Sequence, residues 1–203
     1  MMPLNLKGVF LTLILSTLSL SLQGKEISWT KVKEKHGVKV YKAEVLEGIA
    51  FCGTGELKGE PERLISIIEN PNGWKNWIEN FKSGKVIEII DPNHKVFYQA
   101  FNSPFPVSDR DVVYESKIFR DTPNKIRIEM QSVKHPRAPK TIGERVEIIF
   151  TRYFITKIDE STLHLRFETL SDPGGALPSF LVNWASENYP VTIFQGLRKE
   201  LKK

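Results

Sequence analysis

The chain has 203 residues, 40% of them hydrophobic and 26% charged, a make-up that fits one globular domain and excludes a disordered polyelectrolyte. Its net charge of +5 is spread along a sequence in which Lys and Arg alternate with Asp and Glu. Without a basic helix or stripe, nucleic acid is excluded as a partner. A single cysteine, Cys52, excludes an internal disulfide and a cysteine-based metal cluster; within Ala50-Phe51-Cys52-Gly53 it reads as a small buried hydrophobe of a strand.

Residues 1–7 carry one Lys and no acid, and Gly8 to Gln23 hold no charge at all. Leu11, Leu13, Ile14, Leu15, Leu18, Leu20 and Leu22 make this run strongly apolar, the pattern of a secretory signal peptide over residues 1–24. The run is shorter than the roughly 20 residues that span a bilayer comfortably. Cleavage after Gly24 leaves Leu22 in a position where a small residue is preferred, so an uncleaved membrane anchor stands as the alternative. Either way the expected location is the periplasm or the cell exterior. Removal of Lys7 with the segment lowers the net charge from +5 to +4.

Beyond Trp29 and a basic stretch, Val38-Lys39-Val40-Tyr41 alternates as a strand, and Ile49 to Glu56 forms the second arm of a hairpin. Within that arm, Gly53-Thr54-Gly55 marks a bulge or a close backbone approach. Pro61 then opens a helix carrying Leu64, Ile65, Ile67 and Ile68, which Asn70-Pro71-Asn72-Gly73 stops. Trp74, Trp77, Ile78 and Phe81 recur at helical spacing and predict a second short helix.

Past Gly84 the period becomes two. Strands are predicted at 84–90, 95–101, 111–120, 125–133, 145–157 and 162–169, separated by turns such as Asp91-Pro92-Asn93-His94 and Asp121-Thr122-Pro123-Asn124. His135 to Gly143, with Pro136 and Pro139, predicts a long surface loop. After Asp172-Pro173-Gly174-Gly175 the pattern is helical to the end, with Leu177, Leu181, Trp184, Phe194, Leu197 and Leu201 along one stripe and Pro190 expected to kink it. Successive strands with short turns imply an antiparallel sheet, and a lone long helix must bury its apolar stripe against it. The predicted class is α+β.

Three segments near the C-terminus carry a resemblance: Asp172-Pro173-Gly174-Gly175-Ala176-Leu177-Pro178, Leu181-Val182-Asn183, and Leu197-Arg198-Lys199-Glu200-Leu201. Together with Phe105-Pro106-Val107-Ser108-Asp109-Arg110-Asp111-Val112-Val113, Trp74, Trp77 and Ser83-Gly84-Lys85-Val86, they resemble START domains, the steroidogenic-acute-regulatory-protein-related lipid-transfer family. The resemblance spans residues 27–203. It implies the helix-grip fold, a curved antiparallel sheet wrapped around a long C-terminal helix, with two short helices after the second predicted strand. It further implies an apolar tunnel for one lipid, closed by the C-terminal helix and the 134–144 loop, a transient membrane contact and a monomer. Some sterol-handling members carry a cavity arginine five residues past the Asp of the Arg-Asp pair; here that position is Ser116, which leaves the ligand class open.

Strand parity nominates the residues that face the ligand. They are Val112, Tyr114 and Ser116; Ile128 and Met130; Ile148, Phe150 and Arg152; Leu165 and Phe167; Tyr98 on the strand 95–101; and Leu181 and Trp184 on the helix. An ordinary core reads the same way, because the inner faces of antiparallel sheets look alike with or without a cavity. Arg152 reads as a partner for an acidic headgroup or as a side chain near a strand end reaching water. Arg110 and Asp111 are adjacent and point opposite ways, so they read as structural, pairing across the sheet or ordering the Pro104–Pro106 corner.

No catalytic constellation appears. His36, His94, His135 and His164 form no metal spacing, and neither a Gly-x-Ser-x-Gly elbow nor a phosphate loop exists. A non-catalytic lipid binder without cofactor or metal is therefore the leading expectation. An enzyme of the same fold acting on a hydrophobic small molecule, or a ligand sensor, is the alternative.

Overall fold

The computed structural model describes residues 27–175 and 179–203, and side-chain surroundings are described for all of these except 179–187. The apolar segment 1–24, on which the signal-peptide reading falls, lies outside the described residues. Strands β1 (Thr30–Lys35), β2 (Val38–Val45) and β3 (Gly48–Lys58) lead into helix α1 (Pro61–Ile68). Then follow β4 (Phe81–Asp91), β5 (His94–Phe101), β6 (Arg110–Thr122), β7 (Lys125–Ser132), β8 (Glu144–Arg145), β9 (Glu147–Lys157), β10 (Thr162–Asp172) and helix α2 (Ser179–Leu201).

All ten strands form one sheet in the order β1-β2-β3-β10-β9-β7-β6-β5-β4, with two-residue β8 pairing in parallel beside β6. Every other pairing is antiparallel, as short turns between alternating runs require. This is the α+β helix-grip architecture expected of the sequence.

Two local expectations change. The basic stretch after Trp29 is an edge strand, β1, whose lysines leave it without alternation; charge on an edge discourages further strand pairing. The aromatic segment after Gly73 makes a single 3-10 turn, Trp74–Asn76, in place of a second helix. Trp74 is fully buried there, donates its indole N–H to the Ile68 carbonyl at 2.8 Å, and packs edge-on against Phe81. Pro190 lies inside α2, and the helix runs through it.

The sheet has a helix-facing inner side and an outer side. The inner side holds the main core, including Val38 and Val40 of β2, Leu64 of α1, Phe97 of β5, Ile128 of β7, Ile155 of β9, Leu165 of β10, and Phe194 and Leu197 of α2. The outer side carries a smaller cluster of Ile87, Val96, Tyr98, Ala100 and Val113, against which Val133 and Ala138 pack.

Strand register also defines two ends. One end gathers the turns β1–β2, β4–β5, β6–β7 and β9–β10 with the C-terminus of α2. The other gathers the β2–β3 turn, the β5–β6 loop, the 133–143 loop and the link from β10 to α2. At the first end the helix sits directly on backbone. A β-carbon on Gly53 would come within 2.8 Å of the Pro190 side chain, and one on Gly55 within 2.7 Å of the Gly37 carbonyl. The predicted close approach at Gly53-Thr54-Gly55 is this contact. Arg198 fastens the same end, donating to the carbonyls of His36 at 2.5 Å and Glu56 at 2.9 Å.

Candidate functional site: the inner face of the sheet

Four strands bring most of the nominated residues onto one surface. Val112 and Tyr114 of β6, Ile128 and Met130 of β7, and Leu165 and Phe167 of β10 belong to the inner core, with Ile148 of β9 packed against it. Ser116 is fully buried on the same side of β6. Tyr114 stacks on Phe97 with ring centres 5.6 Å apart, and Phe167 meets Tyr153 at 5.0 Å and Tyr189 of α2 at 5.8 Å.

Phe150 and Arg152 do not join them. In the pairing of β9 with β10, Leu170 faces Phe150 but Ser171 faces Ile148, so Ile149 is an extra residue on β9. A bulge of this kind shifts the alternation by one. Ile148 faces in before it, and Thr151, Tyr153 and Ile155 face in after it. Phe150 and Arg152 are sent to the outer side, where the Arg152 guanidinium lies 4.4 Å over the Phe150 ring and 3.9 Å from Glu168. Arg152 thus lies off the inner face and away from a strand end, as one member of a charged outer ladder.

Tyr98 is a second correction. Phe97 pairs with Tyr114 and Tyr98 with Val113, so Tyr98 faces outward with Val113, and its hydroxyl contacts Asp111 at 3.4 Å. The 134–144 loop, expected as part of the lid, packs on this outer cluster through Ala138. Leu181 and Trp184 fall in the part of α2 whose side chains are outside the described residues.

Two polar features of the inner side escaped the sequence. Glu69 follows α1 as its C-cap and is buried; its carboxylate accepts from Lys95 at 2.5 Å and from the Ser116 hydroxyl at 2.9 Å. The signal for it was available, because a carboxylate at a helix C-terminus opposes the helix dipole and needs a local reason to be there. The second feature is a set of phenols. Burial pushes Tyr114 and Tyr153 well above the usual phenol range, each also raised by a neighbouring tyrosine.

Tyr189 of α2 lies against Phe167, and desolvation pushes its phenol up to about 12.

A model of the START domain family matches residues 15–203. The chain belongs to the START domain family. The uncharacterized Pseudomonas aeruginosa protein PA1579 is 22% identical over 98% of this chain and 100% of its own length. Ceramide transfer protein of Xenopus laevis is 35% identical over 65% of this chain but only 23% of that protein, and mouse phosphatidylcholine transfer protein is 28% identical over 79% and 77%. Among solved structures, human StAR-related lipid transfer protein 5 superposes with a TM-score of 0.79 at 22% identity, covering 88% of each chain.

Within this START domain the Arg110-Asp111 pair ties loops together. Arg110 points inward and donates to the Ser108 carbonyl, bracing the β5–β6 loop, and reaches the Gly174 carbonyl at 3.4 Å. Asp111 points outward, pairs with Arg145 and accepts from the Ile142 amide at 2.9 Å. One motif thus holds the approach to α2 with one residue and the 134–144 loop with the other. Gly174 and Gly175 have φ of +69° and +59°, the left-handed region where a side chain is strained, and they turn the chain sharply between β10 and α2.

Proposed function

We propose that this START domain binds one lipid between the inner face of its sheet and α2, and carries it between membranes. The observation that carries the reading is the apolar inner face assembled from β6, β7, β9 and β10, with Phe167 against Tyr189 of α2, in a chain of the START family. A hollow between that face and α2 is part of the proposal. Such a hollow favours an apolar ligand through area removed from water, at about 25 cal/mol per Å². The phenols of Tyr114, Tyr153 and Tyr189, with the Glu69–Lys95–Ser116 cluster, are the few polar groups that orient an amphipathic ligand in such a site.

Lipid transfer as the activity is supported by the similarity to ceramide and phosphatidylcholine transfer proteins. A carrier fits the site better than a catalyst. The buried acid Glu69 is occupied by Lys95 and Ser116, and no free acid–base pair adjoins it among the described residues. The ligand-facing set we assign is Val112, Tyr114, Ser116, Ile128, Met130, Ile148, Leu165 and Phe167, extended by Thr151, Tyr153 and Tyr189. Within the same proposal the domain acts as a monomer. Segment 1–24 delivers it to the periplasm or beyond the cell, or anchors it there; the support is the uncharged apolar run behind Lys7.

The test is mass spectrometry of an organic extract from purified protein, with transfer of a fluorescent lipid between vesicles measured in parallel. A stoichiometric lipid and transfer above the spontaneous rate are expected. Protein that holds no lipid and accelerates no exchange overturns the reading.

A further inference from the structure

The inner side of β5 and β6 carries two cations, Lys95 and Arg110, in different electrostatic states. Lys95 meets the Glu69 carboxylate at 2.5 Å. Arg110 is buried, at 9% exposure, and no carboxylate forms an ion pair with it among the described residues. The acids around it are engaged elsewhere. Asp109 accepts from Lys82 at 2.6 Å and from the Ser103 amide at 3.0 Å. Asp111 pairs with Arg145 on the outer side, and Asp172 accepts from the Gly174 amide at 2.9 Å. Glu144, opposite Arg110 in the pairing of β6 with β8, stands beside Gly175. A buried charge without a counter-charge is costly and calls for a partner of opposite sign.

The guanidinium also has a spare edge. Its Nη1 donates to the Ser108 carbonyl, whereas Nη2 has only the Gly174 carbonyl at 3.4 Å, and the buried Nε has no acceptor. Nε and Nη2 share one edge of the planar group, and such an edge receives both oxygens of a carboxylate or phosphate in parallel. A contact of 3.4 Å is long for an N–H···O bond, so the Gly174 carbonyl yields readily to an anion. From Arg110 the same side of β6 continues through Val112 and Tyr114 to Ser116, which bonds to Glu69. That rise along the strand is about 20 Å.

We infer that Arg110 receives the head of the cargo, and that the lipid this domain carries is net anionic, ending in a phosphate or a carboxylate. The inference rests on the carrier reading and deepens it. It names the head chemistry and the direction of the lipid, with its head toward the start of α2 and its tail toward Glu69. A zwitterionic head fits less well, because it brings an ammonium into the same buried region and leaves the charge of Arg110 uncompensated overall.

The experiment is an internal competition. Purified full chain is incubated with phosphatidylcholine vesicles holding equal minor amounts of phosphatidate, oleate and diacylglycerol, then re-isolated and extracted for mass spectrometry. All the lipids share one surface, so attraction of the basic chain to the vesicle is common to them. Phosphatidate, oleate or both should be enriched over diacylglycerol roughly tenfold or more, as a charge-assisted bond implies. The two anions separate a phosphate head from a carboxylate head. In Arg110→Gln the ratio of anionic lipid to diacylglycerol should fall to about that in the vesicle. A residue that only braces loops would leave this ratio where it was, which overturns the inference.

Arg110→Lys keeps the charge without the planar fork and should retain part of the preference. It serves where the glutamine protein does not fold, and a preference that the lysine leaves intact also overturns the inference. Inorganic phosphate alone should move the thermal midpoint of the wild-type protein no more than that of the variants. A rise confined to the wild type assigns Arg110 to a water-borne anion and overturns the lipid head. Lipid taken up without preference for either anion sinks this inference alone, whereas protein that takes up no lipid sinks the carrier reading beneath it.

Discussion

The two ends of the sheet are held by opposite kinds of chemistry. At the α2 C-terminal end, glycines let helix and sheet touch backbone to side chain, and Phe194 and Leu197 are fully buried. At the other end polar contacts among the described residues tie the loops: Arg110 to carbonyls, Asp111 to a backbone amide and Arg145. Close packing is stiff because any displacement opens a void, whereas polar ties exchange with water as they break. The difference makes the packed end the stiffer of the two.

The largest effects that sharpen this contrast lie at the packed end. Phe194→Ala removes a fully buried ring over Gly53 and Gly55 and should destabilise the fold by about 4 kcal/mol, read as a drop of the single thermal midpoint. Gly55→Val, which forces a side chain toward the Gly37 carbonyl, should cost about 3 kcal/mol by the same measurement.

At the polar end, Asp111→Ala should cost about 2 kcal/mol overall but act chiefly on one loop. Limited proteolysis should then cut within 134–143 well before the rest of the chain. Global unfolding with no selective cleavage would erase the distinction between the ends. Ser116→Ala leaves Glu69 with Lys95 as its remaining partner and should cost about 1 kcal/mol in denaturant unfolding.

The smallest effect is spectroscopic. Tyr189 has its phenol raised to about 12, so it is neutral when folded at a pH where an unfolded chain's phenol ionises. Its contribution to stability is complete below about pH 10 and is lost as pH rises from there toward 12. An alkaline absorbance titration should show Tyr189→Phe removing a late-ionising phenol and leaving the early part of the curve unchanged.

Much of the architecture was legible because strand alternation and turn residues are local signals. Ile128, Met130, Leu165 and Phe167 alternate with polar or charged neighbours, and parity placed them, with Val112 and Tyr114, on the inner face. Parity failed on β9, where hydrophobic Ile148, Ile149 and Phe150 run together and nothing in their chemistry marks Ile149 as the extra residue. It failed for Tyr98 because β5 is covered on both sides, so Val96, Phe97 and Tyr98 are all buried and the polar alternation that reports facing is missing. The lysine-rich edge β1 was hidden for the converse reason, since an edge strand buries too little to need an apolar pattern. Glu69 left one local trace, an acid at a helix C-terminus, but its partners come from β5 and β6 and nothing local points to them.

The bulge at Ile149 has a bearing on how such a domain diversifies. Deleting that one residue would flatten the bulge and leave every facing as it is; sliding the strand beyond it by one residue instead would turn Phe150 and Arg152 inward and Thr151 and Tyr153 outward. A cationic wall would replace a hydroxyl-bearing one without a single substitution. A shift of register in one strand is therefore as direct a route to a new inner surface as changes in the residues that form it.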